Sequence, residues 1–136
     1  MPMSIAQVSE RSGCSAPTIR YYESIGLIAP ADRGTNGRRS FGQQDVHRLS
    51  FIRRCRDFGL SIGQTKGLIA ASTQGLEACA PARAIVEQQL KAIRARRVEL
   101  RLLEANLQQI FDRCCNVCAT GNAAACSIFE DIGERP

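Results

Sequence analysis

Between Pro81 and Arg113 the chain runs for 33 residues with no glycine or proline after its first position. Apolar side chains recur there at Val86, Leu90, Ile93, Leu100, Leu103, Leu107 and Ile110. The steps of 4, 3, 7, 3, 4 and 3 make a heptad seam along one side of a helix, with Arg96 and Arg97 in its gap. At 1.5 Å per residue such a helix is about 50 Å long. A chain of 136 residues has no core long enough to cover that stripe. The seam therefore needs a partner, and the simplest is a second copy of itself, parallel or antiparallel. What remains is room for one small domain and a short tail.

The first half reads as that domain. Ile5 and Val8, with Ala6 between them, make a short helix from Ser4 to Ser12 that ends at Gly13. After the turn Gly13-Cys14-Ser15, a second helix starts near Ser15 or Ala16 and ends at Gly26. Pro17 fits its first turn, where a helix needs no N–H. Two short helices about a glycine turn form a helix-turn-helix pattern. Ile28 to Phe41 reads as a loop or two-stranded wing with Gly34, Asn36 and Gly37 at the bend and Arg33, Arg38 and Arg39 around it. A third helix is expected from Gln43 to Phe58, with Val46, Leu49, Ile52 and Phe51 facing inward. Ser61 caps a fourth helix, Ile62 to Ser72, with Leu68 and Ile69 inward. Ser127 to Ile132 reads as one helical turn ending at Gly133.

Charge separates the two halves. Residues 1–56 hold nine arginines and four acidic residues, whereas residues 57–136 balance nine against nine, so the net +5 lies wholly in the first half. Sixteen of the eighteen basic residues are arginine, the side chain suited to bidentate phosphate and base contacts. A one-sided field of that kind points to nucleic acid and away from a purely structural coiled-coil adaptor. With 44% hydrophobic and 23% charged residues the chain is globular. It has no stretch of about 18 uncharged apolar residues for a membrane span. Met1 to Val8 has no secretory pattern, so no membrane association and a cytoplasmic site are expected.

Seven cysteines, Cys14, Cys55, Cys79, Cys114, Cys115, Cys118 and Cys126, stand beside a single histidine. An odd count without an export signal argues against a disulfide framework, and four thiols within thirteen residues argue for metal or redox chemistry. A thiol enzyme is disfavoured. There is no nucleotide loop, and Cys115-x-x-Cys118 is not followed by an expected helix start. Cys14 and Cys55 read as packing residues. Soft thiolates select Cu(I), Zn(II), Cd(II), Pb(II) or Hg(II) over hard ions. Two thiolates on a monovalent ion, or three on a divalent ion, both leave a charge of −1.

The order of these pieces resembles the MerR family of bacterial transcription activators over essentially the whole chain. The likeness is carried by Thr18-Ile19-Arg20-Tyr21-Tyr22-Glu23, Gly26-Leu27-Ile28, Gly37-Arg38-Arg39-Ser40-Phe41, Asp45-Val46, Leu49, Phe51-Ile52-Arg53 and Gly59-Leu60-Ser61. Phe41 departs from it, since a tyrosine is more usual there. The resemblance implies an all-α fold with a small wing. Its parts are a winged helix-turn-helix DNA-binding domain over 1–72, a hinge loop at 73–80, an antiparallel coiled-coil dimerisation helix over 81–113, and a cysteine-rich metal-binding loop and tail over 114–136. It implies a homodimer on double-stranded promoter DNA that twists the promoter for RNA polymerase when its effector binds, and no enzyme activity.

On that likeness the second helix enters the major groove. Thr18, Arg20, Tyr21 and Tyr22 are candidate DNA contacts, with Tyr22 divided between phosphate and core. Arg38 and Arg39 are wing phosphate clamps, while Arg53, Arg54 and Arg56 stay open between backbone contact and a solvated face. In an antiparallel pair, Cys79 of one subunit meets the terminal thiols of the other. A cysteine at this place goes, in the family, with sensors of divalent ions. The expected effector is therefore zinc, cadmium, lead or mercury, activating a heavy-metal resistance or efflux promoter that the metal-free protein represses. The expected ligands are Cys79, Cys114 and Cys126, with Cys115 and Cys118 as alternates. Cys115-x-x-Cys118 followed by Cys126 also resembles the redox branch that holds a [2Fe–2S] cluster, though Thr120 stands where its third cysteine belongs. The eight-residue step from Cys118 to Cys126 matches the monovalent copper, silver or gold sensors.

Overall fold

Six helices and a two-stranded hairpin make up the computed structural model, which describes residues 2–33, 37, 39–75, 79–117 and 126–133. The order is α1 (Ile5–Ser12), α2 (Ala16–Ser24), β1 (Asp32–Arg33), β2 (Arg39–Ser40), α3 (Gln43–Asp57), α4 (Ile62–Ser72), α5 (Cys79–Val117) and α6 (Ser127–Gly133). This is an all-α winged helix-turn-helix with a long helix suited to dimerisation. It falls into two compact units, Met1–Gln89 and Leu90–Pro136.

Local chemistry sets most helix ends of the first unit. Ser4 Oγ accepts from the Gln7 backbone N–H at 3.3 Å while Gln7 Oε1 accepts from the Ser4 N–H at 2.9 Å. Ser61 and Gln64 repeat this reciprocal cap at 3.0 and 2.8 Å. The Asp45 carboxylate accepts from the Gly42 N–H at 2.8 Å and closes the start of α3. Gly13 ends α1 at φ 76°, a left-handed value that a side chain would strain.

The core joins Val8 of α1, Ile19 of α2 and Leu49 and Ile52 of α3, all fully buried, with Met3, Leu27, Ile28, Phe41 and Val46 around them. Met3 and Phe41 exchange backbone bonds of 2.8 and 2.9 Å, pinning the chain start to the base of the wing. In the wing, Asp32 pairs with Ser40 and Arg33 with Arg39 in antiparallel register. Phe51 corrects the sequence expectation: it is exposed, and Cys55 takes the inward place beside Ile52. Positions 46, 49, 52 and 55 keep helical spacing on one face, and 51 falls off it. In α4, Leu68 and Ile69 are half-buried, while the wholly enclosed residue is Thr65, whose hydroxyl donates to the Ser61 carbonyl at 2.9 Å.

α5 is 39 residues long and begins at Cys79, ahead of Pro81. Pro81 lies in the first described turn of this helix, where its missing N–H costs nothing. The opening turns of α5, up to Gln89, belong to the first unit and are fastened within it at two points. Gln89 Nε2 donates to the Phe58 carbonyl at 2.9 Å, satisfying the end of α3. A Cβ at Gly67 would stand 2.9 Å from Ile85 Cδ1, so the lack of a side chain on α4 lets Ile85 seat there. In the second unit the seam is bare: Leu90, Ile93, Leu100, Leu103 and Leu107 are 43–62% exposed. No described helix is long and apolar enough to cross a membrane.

Candidate DNA interface and thiol cluster

Helix α2 is held by its buried face, Ile19 and Tyr22, and presents the opposite one. Ser15 Oγ accepts from the Thr18 N–H at 3.3 Å and lies 2.7 Å from Thr18 Oγ1, leaving Thr18 half-buried at the helix start. Arg20 is exposed, and Tyr21 is 53% exposed. Tyr22 is 8% exposed, packed in the core with its ring centroid 6.0 Å from that of Tyr21. Consecutive residues diverge by about 100° on a helix, so one tyrosine faces out and the next faces in. Burial raises the Tyr22 phenol above its ordinary pKa, while the Arg56 guanidinium beside it pulls the other way.

The arginines of α3 divide by role. Arg56 Nη1 donates to the Leu60 carbonyl at 2.6 Å and ties α3 to the turn that follows it. Arg53 lies over Gly13, where a Cβ would overlap its guanidinium, so this arginine covers the turn between α1 and α2. Arg54 is exposed. In the wing, Arg33 is exposed on β1, the backbone of Arg39 is in β2, and Arg38 lies outside the described residues.

Two thiols belong to the core. Cys14 Sγ donates to the Leu49 carbonyl at 3.6 Å, and the Cys14 N–H donates to Ser12 Oγ at 3.2 Å. Burial pushes the Cys14 thiol up, against the Ser12 hydrogen bond and the Arg53 charge. Burial does the same to Cys55. A raised thiol pKa means that the native state holds the proton more tightly than the unfolded chain does. The associated stability is complete below the unfolded thiol range, about pH 8.5, and is lost as pH rises through the raised values. Urea midpoints should therefore be level from about pH 7 to 8 and decline above about pH 9; a level profile to about pH 10 contradicts this account.

The remaining thiols have a different setting. Cys79 and Cys115 are exposed, Cys114 and Cys126 are half-buried, and Cys118 lies outside the described residues. Arg113 Nη1 meets Asp131 Oδ1 at 2.6 Å. That pair joins the last turns of α5 to α6. Nothing in the sequence marked Arg113 and Asp131 as partners, since they stand 18 residues apart. Among the described residues no three His, Cys, Asp or Glu side chains converge as a metal site. Cys114 directly follows Arg113, and Cys126 directly precedes α6, which carries Asp131; thiolates are soft donors of the kind that suit thiophilic ions. Ser127, next to Cys126, is 4% exposed and its hydroxyl has no hydrogen-bond partner among the described residues.

The family description "MerR HTH family regulatory protein" matches residues 3–72, and "MerR, DNA binding" matches residues 46–110. The chain is 36% identical over 132 residues to the HTH-type transcriptional regulator HmrR of Rhizobium leguminosarum bv. viciae, covering 97% of this chain and 98% of that one. It is 33% identical over 132 residues to the heavy metal-dependent transcription regulator 2 of Rhizobium meliloti, covering 97% and 87%. The crystal structure of the transcription regulator PbrR691 from Ralstonia metallidurans in complex with lead(II) superposes with a TM-score of 0.80 at 26% identity, over 96% of this chain and 98% of that one. With the helix-turn-helix, the arginine-bearing wing and the long unpartnered helix, these likenesses place the chain in the MerR family of helix-turn-helix transcriptional regulators, DNA-binding proteins and not enzymes.

Proposed function

We propose that the protein is a metal-responsive regulator of a heavy-metal resistance or efflux promoter, repressing it when metal-free and activating it on binding a divalent soft ion. The observation that carries this reading is that Cys114 and Cys126, both half-buried, flank the two helices α5 and α6 that Arg113 and Asp131 tie together, on a chain that also holds a helix-turn-helix. The heavy-metal dependence of the Rhizobium meliloti relative and the lead(II) held by PbrR691 support it.

The parts divide as DNA reading over 1–72, hinge at 73–80, dimerisation over 81–113 and effector binding over 114–136. Thr18, Arg20 and Tyr21 face the major groove, with Arg38 and Arg39 on flanking phosphates. Tyr22, being buried, supports the helix from behind. The exposed seam of α5 pairs antiparallel with its copy. Helix length separates the two ends of α5 within one chain, so a third thiolate comes from Cys79 of the second subunit. Cys79, Cys114 and Cys126 then bind zinc, cadmium, lead or mercury with a net charge of −1, with Cys115 and Cys118 as alternates. Cys79 opens a helix whose first turns are fastened to α3 and α4 through Gln89 and Ile85. Tension at that thiol thus reaches the DNA-binding domain, and the resulting rotation lets RNA polymerase engage the promoter in the cytoplasm.

Transcription from the cognate promoter with reduced protein tests this against a metal panel. Induction by zinc, cadmium, lead or mercury and not by copper(I) is the expected result. Induction by copper(I) alone overturns the divalent assignment, and repression unresponsive to every metal overturns metal sensing.

A further inference from the structure

Ser127 is enclosed on a short helix, α6, that leaves two of its large apolar side chains in solvent. Its neighbours Phe129 and Ile132 are 67% and 58% exposed, yet the serine is 4% exposed. Its hydroxyl has no partner among the described residues. An enclosed hydroxyl without a hydrogen bond costs about 1–3 kcal/mol, so an apolar residue would suit the metal-free fold better.

The placement of this hydroxyl suggests its acceptor. Ser127 and Asp131 are four residues apart on α6 and so lie on one face. Asp131 is bonded to Arg113, which directs that face toward the end of α5. Arg113 is followed by Cys114, and Ser127 is preceded by Cys126, both half-buried. The unused donor is thus the chain neighbour of one thiol, on the helix face that is tied to the residue before the other. Three thiolates on a divalent ion carry a surplus negative charge, and a partly enclosed anionic site is stabilised by donors aimed at its sulfurs.

We propose that Ser127 donates its hydroxyl hydrogen to a metal-bound thiolate of the Cys114–Cys126 pair, making it a positioning and tuning residue for the effector site and not a ligand. The inference rests on the metal-sensing function proposed for the chain. A metal-bound thiolate would give this hydroxyl the acceptor that it lacks among the described residues. Cys114 already has an interaction of its own in the metal-free fold, so the serine adds to that environment and does not create it.

The test uses the reduced full-length dimer and cadmium(II) ion as the probe. Wild type, Ser127→Ala and Ser127→Thr are titrated by competition with a chelator, following the thiolate-to-cadmium ultraviolet band. Ser127→Ala should bind cadmium about tenfold more weakly at unchanged stoichiometry, with the band moved to longer wavelength. Its metal-free melting temperature should equal or exceed that of wild type, because an unsatisfied hydroxyl has been removed. Ser127→Thr, which keeps the donor, should restore the band position. Equal affinity and an unmoved band in Ser127→Ala overturn the inference. So does a metal-free protein that melts lower with unaltered affinity, since that is a packing role. If wild type itself shows no thiolate-to-cadmium band while Ser127→Ala folds normally, the metal-sensing function fails, and the inference with it.

Discussion

Cys79→Ser should keep the protein on its promoter and abolish induction by metal. The helix-turn-helix core is built around Val8, Ile19, Leu49 and Ile52, and Cys79 is not among its members. Cys79 itself is exposed, so its sulfur contributes little to the metal-free fold. Serine preserves the size of the side chain and the helix start. What changes is the ligand count, from three thiolates to two, which leaves a divalent ion neutral and under-coordinated. Complete thiolate and imidazole zinc sites are worth about 10–16 kcal/mol, so one ligand of four is worth about 3 kcal/mol. That is roughly a hundredfold in affinity. A gel shift without metal should be indistinguishable from wild type, while transcription stays at the repressed level across the metal panel. Full induction of the variant removes Cys79 from the ligand set. Loss of metal-free DNA binding would make it a structural residue of the DNA-binding unit.

Leu103→Glu should convert the protein to monomers and with that abolish tight promoter binding. Leu103 is 54% exposed, and with Leu100, Leu107, Glu104, Gln108 and Phe111 it lines a shallow apolar hollow on α5. Burying a leucine is worth about 1.5–3 kcal/mol, and a homodimer loses it twice. The loss is therefore about 4 kcal/mol before the cost of enclosing two carboxylates, or about a thousandfold in dimerisation. A DNA-binding unit that engages one half-site in place of two loses the linked second contact, so promoter affinity should fall by at least about a hundredfold. Sedimentation should report the monomer mass, and circular dichroism should still show a folded helical domain, since no core residue of the first unit has changed. A variant that sediments as a dimer places the interface elsewhere.

Periodic and local signals explain why so much of the architecture was legible in the residues. The 3- and 4-residue steps from Val86 to Ile110 announce a helix with nothing in its own chain to cover it, and the structure leaves that seam exposed. The serine and glutamine pairs at Ser4 and Gln7, and at Ser61 and Gln64, bond within one turn, so four letters of sequence are enough to read them. Gly13 and Gly59 stop their helices at positive φ for the same local reason. Family likeness chose among the chemistries that the spacing of the terminal thiols left open.

Contacts between distant residues were not legible, because no rule of period or propensity selects a partner many residues away. The outward turn of Phe51 on α3 depends on how α3 meets α1. The inward turn of Tyr22 depends on the core that receives it. Gln89 reaching the Phe58 carbonyl, Arg53 lying across Gly13, and Arg113 meeting Asp131 are separated by 31, 40 and 18 residues. Identity and period are written along the chain, so they declared a basic helix-turn-helix, a helix in want of its copy and a soft-donor tail. Which donors are spent inside the fold and which are left over, Ser127 above all, is a matter of three-dimensional neighbours, and folding alone assigns those.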